Sequence, residues 1–178
     1  PEVRMAELVT DVKAGLKALL REIPLDTKLV LIGHSAGGHL SVQAINDAAI
    51  ADRCTAVVSM SGLYDLEPLT RSFLQQELML SPEEVERFSP LRQRTQTKTR
   101  FISVVGKDET EAFHTQADQF VKKFGGEQLL VSDSHHMSLL SGFFSAKTPF
   151  LDALAASLSN HQTPGEVSGY SAKVNFAT

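Results

Sequence analysis

Short apolar runs alternate along this chain with segments whose apolar residues recur at helical spacing. The first run, Leu29-Val30-Leu31-Ile32, is uninterrupted and ends at Gly33, which predicts a strand covered on both faces. Similar runs follow at residues 56–60, 101–105 and 129–131. Strands that alternate with helices form a parallel sheet through right-handed crossovers. The sequence therefore predicts an α/β fold that binds its ligands outside the carboxyl ends of the strands.

The helices are predicted from apolar spacing and from signals at their ends. Pro24 ends the first helix, and Ser81-Pro82-Glu83-Glu84 combines an N-cap serine, an early proline and the glutamate of a capping box. Gly125-Gly126 marks the end of another helix, and Thr148-Pro149 opens the last one. The predicted helices cover residues 5–20, 40–49, a short segment from 82, 113–124 and 149–158.

Composition excludes several classes of protein. A chain of 178 residues with 42% hydrophobic and 21% charged residues fits one globular domain, predicted here over 1–160, with a loosely held tail over 161–178. Its net charge of -4 disfavours nucleic acid and anionic membranes as partners. No apolar stretch is long enough to cross a membrane. The single cysteine, Cys54, is expected to be a buried apolar residue in a reducing compartment.

The first strand runs directly into Gly33-His34-Ser35-Ala36-Gly37-Gly38, which matches the nucleophile elbow G-x-S-x-G in the required strand, turn and helix context. We expect the turn to lift the Ser35 hydroxyl above the sheet. Gly33 and Gly37 are expected to be required because the strained turn leaves no room for their side chains. The backbone N–H of Ala36 would then face a developing oxyanion at a helix N-terminus.

A serine nucleophile needs a histidine base and a carboxylate that orients it. In proteins with this elbow motif, the three residues follow the chain order Ser, acid, His. Asp108 and Glu109 follow the third strand and His135-His136 follow the fourth, so all are expected at one rim of the sheet. Tyr64 and His34 are candidate substrate-binding residues, and Asp65 could line the same cleft. His39 is either packed or on the surface, and no metal ligand set is recognised.

These motifs resemble the kynurenine formamidase (arylformamidase) family of the α/β-hydrolase superfamily. The resemblance is carried by residues 33–40, the run Ser-Gly-Leu-Tyr-Asp-Leu-Glu-Pro-Leu at 61–69, residues 105–110 with Phe113-His114, and His136-Met137. It implies an α/β-hydrolase fold with helices on both faces of a mostly parallel sheet. It also implies cytoplasmic hydrolysis of N-formyl-L-kynurenine to kynurenine and formate in tryptophan catabolism, without a cofactor. Ser35 matches the nucleophile and His136 the base, while Glu109 is slightly preferred to Asp108 as the acid.

One family motif is missing from the chain. The family carries a His-Gly-Gly oxyanion loop upstream of the elbow, and no His-Gly-Gly occurs in this sequence. We therefore expect this chain to be the C-terminal part of a longer hydrolase, or to receive the missing strands from a partner chain or a second copy. Two other functions stay open: a carboxylesterase of hormone-sensitive-lipase type that acts on short acyl esters, and a non-catalytic binding module.

Overall fold

A computed structural model describes residues 3–94, 97–144, 152, 154–156, 158 and 173–176 of the chain. One sheet forms its centre, with five parallel strands in the order β1-β2-β3-β4-β5. This architecture confirms the predicted α/β fold. The strands are β1 (Leu29–His34), β2 (Cys54–Met60), β3 (Arg100–Gly106), β4 (Glu127–Val131) and β5 (Lys173–Phe176).

The first helix precedes β1, and the other helices lie between successive strands. The helices are α1 (Met5–Glu22), α2 (Ala36–Ala44), α3 (Ala48–Ala51), α4 (Gln75–Leu78), α5 (Pro82–Phe88), α6 (Glu111–Phe124) and α7 (His136–Phe144), with short 3-10 helices at Glu67–Arg71 and Pro90–Arg92. The predicted capping box is present at α5, where the Ser81 side chain accepts from the backbone N–H of Glu84. Asp152, Leu154 and Leu158 are helical, whereas the predicted start of that helix at Thr148-Pro149 lies outside the described residues.

The pleat of β2 divides the core between the two faces of the sheet. Val57 packs with Val42 and Phe120, which come from α2 and α6 on one face. Val58 packs on the other face with Leu139 of α7 and with Leu154. Both faces of the central strands are therefore covered, which explains why their sequences are apolar without alternation. Cys54 is 4% exposed, as predicted for a small buried residue.

Helix α1 is less buried than its sequence suggests. Val9 packs with Leu66, Val85 and other residues of the region that follows β2. Leu8 and Leu19 belong to the apolar spacing from which this helix is predicted, yet they are 40% and 45% exposed. The helix packs mainly against α2, α3 and α5, so it has a narrower buried face than a helix laid on a sheet.

Strand β1, which carries the elbow, lies at one edge of the described sheet. Its side chains Val30 and Ile32 are 40% and 44% exposed, although the equivalent positions on β2 are buried. The described part of the chain therefore leaves both a strand edge and an apolar patch open beside the elbow.

The structure differs from the sequence prediction in several elements, including α4 and the two 3-10 helices, which were not predicted. The helix predicted over 40–49 is broken after Ala44, because Asp47 accepts a hydrogen bond from Ala49 N–H and starts α3. Helix α7 was not predicted. Neither was β5, which places residues 173–176 of the predicted loose tail in the sheet beside β4. Within the described ranges, none of the helices is long and apolar enough to span a membrane.

Candidate active site

Three loops are fixed at the carboxyl rim of the sheet by the same type of hydrogen bond. The first residue after each strand donates its N–H to the neighbouring strand: Ser35 to Met60 at 2.8 Å and Ser61 to Val104 at 2.7 Å. Lys107 donates in the same way to the Val131 carbonyl at 2.8 Å. The elbow, the β2 loop and the β3 loop therefore start from fixed positions along one edge.

Ser35 occupies a strained turn, with φ 55° and ψ -118°. A Cβ on Gly33 would lie 2.2 Å from the Gly37 carbonyl oxygen, so this glycine is required for the turn. The prediction that Gly37 is equally required is wrong, since a Cβ there would meet no described atom within 4 Å. The second crowded position is Gly38, whose Cβ would lie 2.6 Å from the Ser59 hydroxyl oxygen.

Ala36 is the first residue of α2 and is exposed. A backbone N–H in the first turn of a helix has no acceptor within that helix, and the helix dipole favours negative charge in front of it. Ala36 therefore lies at the N-terminus of α2 beside Ser35, and its role as an oxyanion donor stays a prediction.

Glu109, and not Asp108, contacts a histidine. The Nδ1–H of His136 donates to Glu109 Oε2 at 2.9 Å, and the Glu109 side chain is fully buried. Its other oxygen, Oε1, accepts from Gly106 N–H at 2.9 Å and from the Ser61 hydroxyl at 2.5 Å. Asp108 is exposed, and its backbone N–H binds the Ser134 carbonyl.

The two neighbouring histidines have different surroundings. His136 begins α7, and its ring stacks on Phe113 with the centroids 4.5 Å apart. His135 is exposed, and its Nδ1 accepts the backbone N–H groups of Met137 and Ser138 at 3.3 and 3.4 Å. His135 therefore caps α7, while His136 has the carboxylate contact that leaves its Nε2 available to take a proton.

His34 links the elbow to the histidine loop. Its Nε2–H donates to the His136 carbonyl at 2.8 Å, and the two rings lie 4.5 Å apart. Burial lowers the pKa of His34, and the hydrogen bond to the His136 carbonyl opposes this shift. Ser35 is next in the chain and half-buried. Among the described residues, the Ser35 side chain forms no hydrogen bond with His136, whose side chain bonds to Glu109.

Tyr64 does not line the site, in contrast to the prediction. It is 1% exposed and stacks on Phe120 of the core at 3.9 Å, so a substrate cannot reach it. Asp65 is half-buried, and Arg92 binds its carboxylate at 3.2 Å. His39 is the packed histidine of the two alternatives, 2% exposed and bonded to the Phe88 carbonyl at 2.7 Å.

Sequence reasoning gave no site role to Ser61 or Phe113. Both lie in segments that the sequence analysis identified, and Ser61 directly follows a strand just as Ser35 does. That position is a usable signal, because residues that directly follow parallel strands meet at one rim. Within the described ranges, no three His, Cys, Asp or Glu side chains are grouped as metal ligands.

A groove of about 1180 Å³ lies at the opposite end of the sheet, near the first residues of β2 and β3. Its lining includes Cys54, Arg94 and Arg100. Since Ser35 and His136 follow the carboxyl ends of their strands, this groove is separate from the site described above.

Comparison with known proteins agrees with the fold and the motifs. No protein-family model matches the chain. A kynurenine formamidase of Danio rerio is 24% identical over 154 residues, which cover 79% of this chain and 53% of the relative. A kynurenine formamidase of Salmo salar is 23% identical over 131 residues, which cover 68% and 45%. The chain thus spans about half the length of the curated relatives it matches.

Among solved structures, a proposed thioesterase from Silicibacter sp. TM1040 matches with a TM-score of 0.78 and 27% identity. The match covers 87% of this chain and 60% of that protein. These similarities confirm the α/β-hydrolase fold and the predicted resemblance to kynurenine formamidases.

Proposed function

We propose that this chain carries the catalytic serine, histidine and carboxylate of a hydrolase that cleaves the formamide bond of N-formyl-L-kynurenine. The observation that carries the proposal is the buried Glu109 bonded to His136 at the rim where the strained Ser35 turn also lies. The kynurenine formamidases among its sequence relatives support this substrate. The reaction would belong to tryptophan breakdown in the cytoplasm.

In the proposed mechanism, Glu109 holds the Nδ1–H of His136, so that Nε2 removes the proton of Ser35 Oγ. The oxygen attacks the formyl carbon, and the Ala36 N–H binds the resulting oxyanion. His136 then protonates the arylamine nitrogen as the C–N bond breaks, which leaves a formyl-serine. Water, deprotonated by the same imidazole, attacks the formyl-serine and releases formate. A side-chain movement must bring Ser35 and His136 into hydrogen-bond contact, since catalytic hydrogen bonds often form only when substrate binds.

The second oxyanion donor is part of the proposal. Loss of one such donor costs about 2.7–4 kcal/mol, or roughly 100- to 1000-fold in rate. The open edge of β1 lies beside the elbow, and the relatives contain about as much chain again as this match covers. We place the missing donor on a segment that packs across β1, either from a longer chain or from a partner subunit.

An ester or thioester is the second candidate substrate. The same serine and histidine would attack either acyl group, and the thioesterase match in fold favours this alternative. The two candidates differ in the leaving group, which is an arylamine in the formamide and an alkoxide or thiolate in the esters.

The test compares hydrolysis of N-formyl-L-kynurenine, p-nitrophenyl acetate and an acyl thioester, together with fluorophosphonate labelling of Ser35. The Ser35→Ala variant is the blank. Turnover of the formamide above that blank supports the proposal. Turnover of esters alone would replace it with the esterase alternative. If the chain is folded and Ser35 reacts with neither the substrates nor the fluorophosphonate, the result supports a non-catalytic binding module.

A further inference from the structure

Ser61 is the first residue after β2, and its hydroxyl reaches the acid of the proposed site from the neighbouring strand. It donates to Glu109 Oε1 at 2.5 Å, while its own backbone N–H is held by the Val104 carbonyl at 2.7 Å. Ser61 is 3% exposed and has a φ of 47°. Alanine and serine both strain such a backbone, and glycine does not.

The two carboxylate oxygens of Glu109 accept hydrogen bonds from different donors. Oε1 accepts from Ser61 and from the Gly106 N–H, while Oε2 accepts from His136. The two donors at Oε1 come from the ends of different strands and hold this oxygen in place. Without the hydroxyl, only the Gly106 N–H holds Oε1, and the carboxylate can rotate away from the imidazole.

We infer that Ser61 is a positioning residue that orients Glu109 towards His136 and thereby fixes the tautomer of the imidazole. The inference rests on the proposed function, because it assigns catalytic work to Glu109 and His136. Ser61 contacts the carboxylate and not the reacting atoms, so its loss should slow the reaction of Ser35 without weakening substrate binding. Removal of the Ser61 hydroxyl should also have no effect in a protein that lacks the Glu109 carboxylate.

The experiment uses Ser61→Gly, which removes the hydroxyl and relieves the backbone strain, so this variant is expected to fold. Ser103→Ala is the matched control, since Ser103 is a buried serine on the adjacent β3 whose hydroxyl is not among the donors to Glu109. The first measurement is the rate of Ser35 labelling by a fluorophosphonate. The second is the ¹⁵N chemical shifts of labelled histidine, which report the His136 tautomer.

We expect Ser61→Gly to slow labelling about tenfold, as for loss of a hydrogen bond to a charged group. His136 should move from the Nδ1–H tautomer towards the Nε2–H tautomer, while Ser103→Ala changes neither measurement. In a Glu109→Gln background, Ser61→Gly should slow labelling no further. On a turned-over substrate, kcat should fall and KM stay unchanged.

A Ser61→Gly protein that keeps both the wild-type tautomer and the wild-type labelling rate would overturn the inference. So would an effect of the same size in Glu109→Gln, because Ser61 would then act by another route. If the wild-type chain is not labelled at all, the proposed hydrolase function fails. The tautomer comparison still decides in that case whether Ser61 orients Glu109.

Discussion

Gly33 and Gly37 flank Ser35 symmetrically in sequence but not in space. A Cβ at residue 33 would collide with the Gly37 carbonyl at 2.2 Å, whereas one at residue 37 meets no described atom within 4 Å. We predict that Gly33→Ala destabilises the protein by about 1–3 kcal/mol or more and abolishes Ser35 labelling. Gly37→Ala, the matched control, should label normally. Urea unfolding and fluorophosphonate labelling measure both effects, and equal behaviour of the two variants would contradict the elbow geometry.

Glu109 and Asp108 offer a second paired comparison at the scale of single residues. The Glu109 carboxylate is buried against His136, and the Asp108 side chain is exposed. We predict that Glu109→Gln lowers kcat about a thousandfold or more, because an amide cannot hold the imidazole in the required tautomer. Asp108→Asn should retain activity within about twofold, since surface changes have small effects. Steady-state kinetics on the best substrate decides, and a larger loss in Asp108→Asn would reverse the assignment of the acid.

At the scale of the element, α2 contains a histidine whose protonation opposes folding. Burial lowers the pKa of His39, which is 2% exposed and bonded to the Phe88 carbonyl. Below the ordinary histidine pKa of about 6.5, the unfolded chain binds this proton and the folded chain does not. Stability is therefore full above that pH and falls as the pH drops below it.

We predict that His39→Gln reduces this loss of stability on acidification, since glutamine has no charge to gain. The measurement is the free energy of unfolding by urea at about pH 7.5 and about pH 5.5 for both proteins. All other titrating groups are common to the two proteins. The difference in how their free energies of unfolding change with pH is therefore due to His39. Identical slopes would show that His39 does not couple protonation to folding.

The elements that the sequence predicted are those fixed by local signals. The apolar runs, the capping box at Ser81 and the elbow glycine at Gly33 each act within a few residues, and the structure contains all of them. The elements it missed depend on distant partners. Strand β5 exists through pairing with β4, and Tyr64 is buried because α6 presents Phe120 to it.

The same distinction applies to the site. The candidate site residues could be predicted because residues that directly follow parallel strands lie at one rim of the sheet. The choice between the two adjacent acids could not be settled from spacing, since it depends on which side chain turns inward beneath His136. The contact between Ser61 and Glu109 links residues 48 apart in the chain, and the parallel pairing of β2 with β3 creates it.

At the scale of the whole molecule, the open side of the sheet is the feature with the largest consequence. β1 is the edge of the described sheet, and Ile32, three residues before Ser35, is 44% exposed. An unprotected edge strand with an apolar face tends to pair with another chain. We therefore predict that this chain by itself self-associates through β1, in the place where we propose that a further segment or subunit supplies the second oxyanion donor.

Ile32→Lys tests this prediction, because a lysine on an edge strand opposes pairing. Leu25→Lys is the matched control, since Leu25 is an 87% exposed apolar residue in the loop before β1. Sedimentation velocity over a range of concentrations should show association of the wild type and of Leu25→Lys, and a monomer for Ile32→Lys. A monomeric wild type, or equal association of the two variants, would contradict pairing through β1. If the associated form supplies the donor, Ser35 labelling per chain should rise with concentration in the wild type and stay constant in Ile32→Lys.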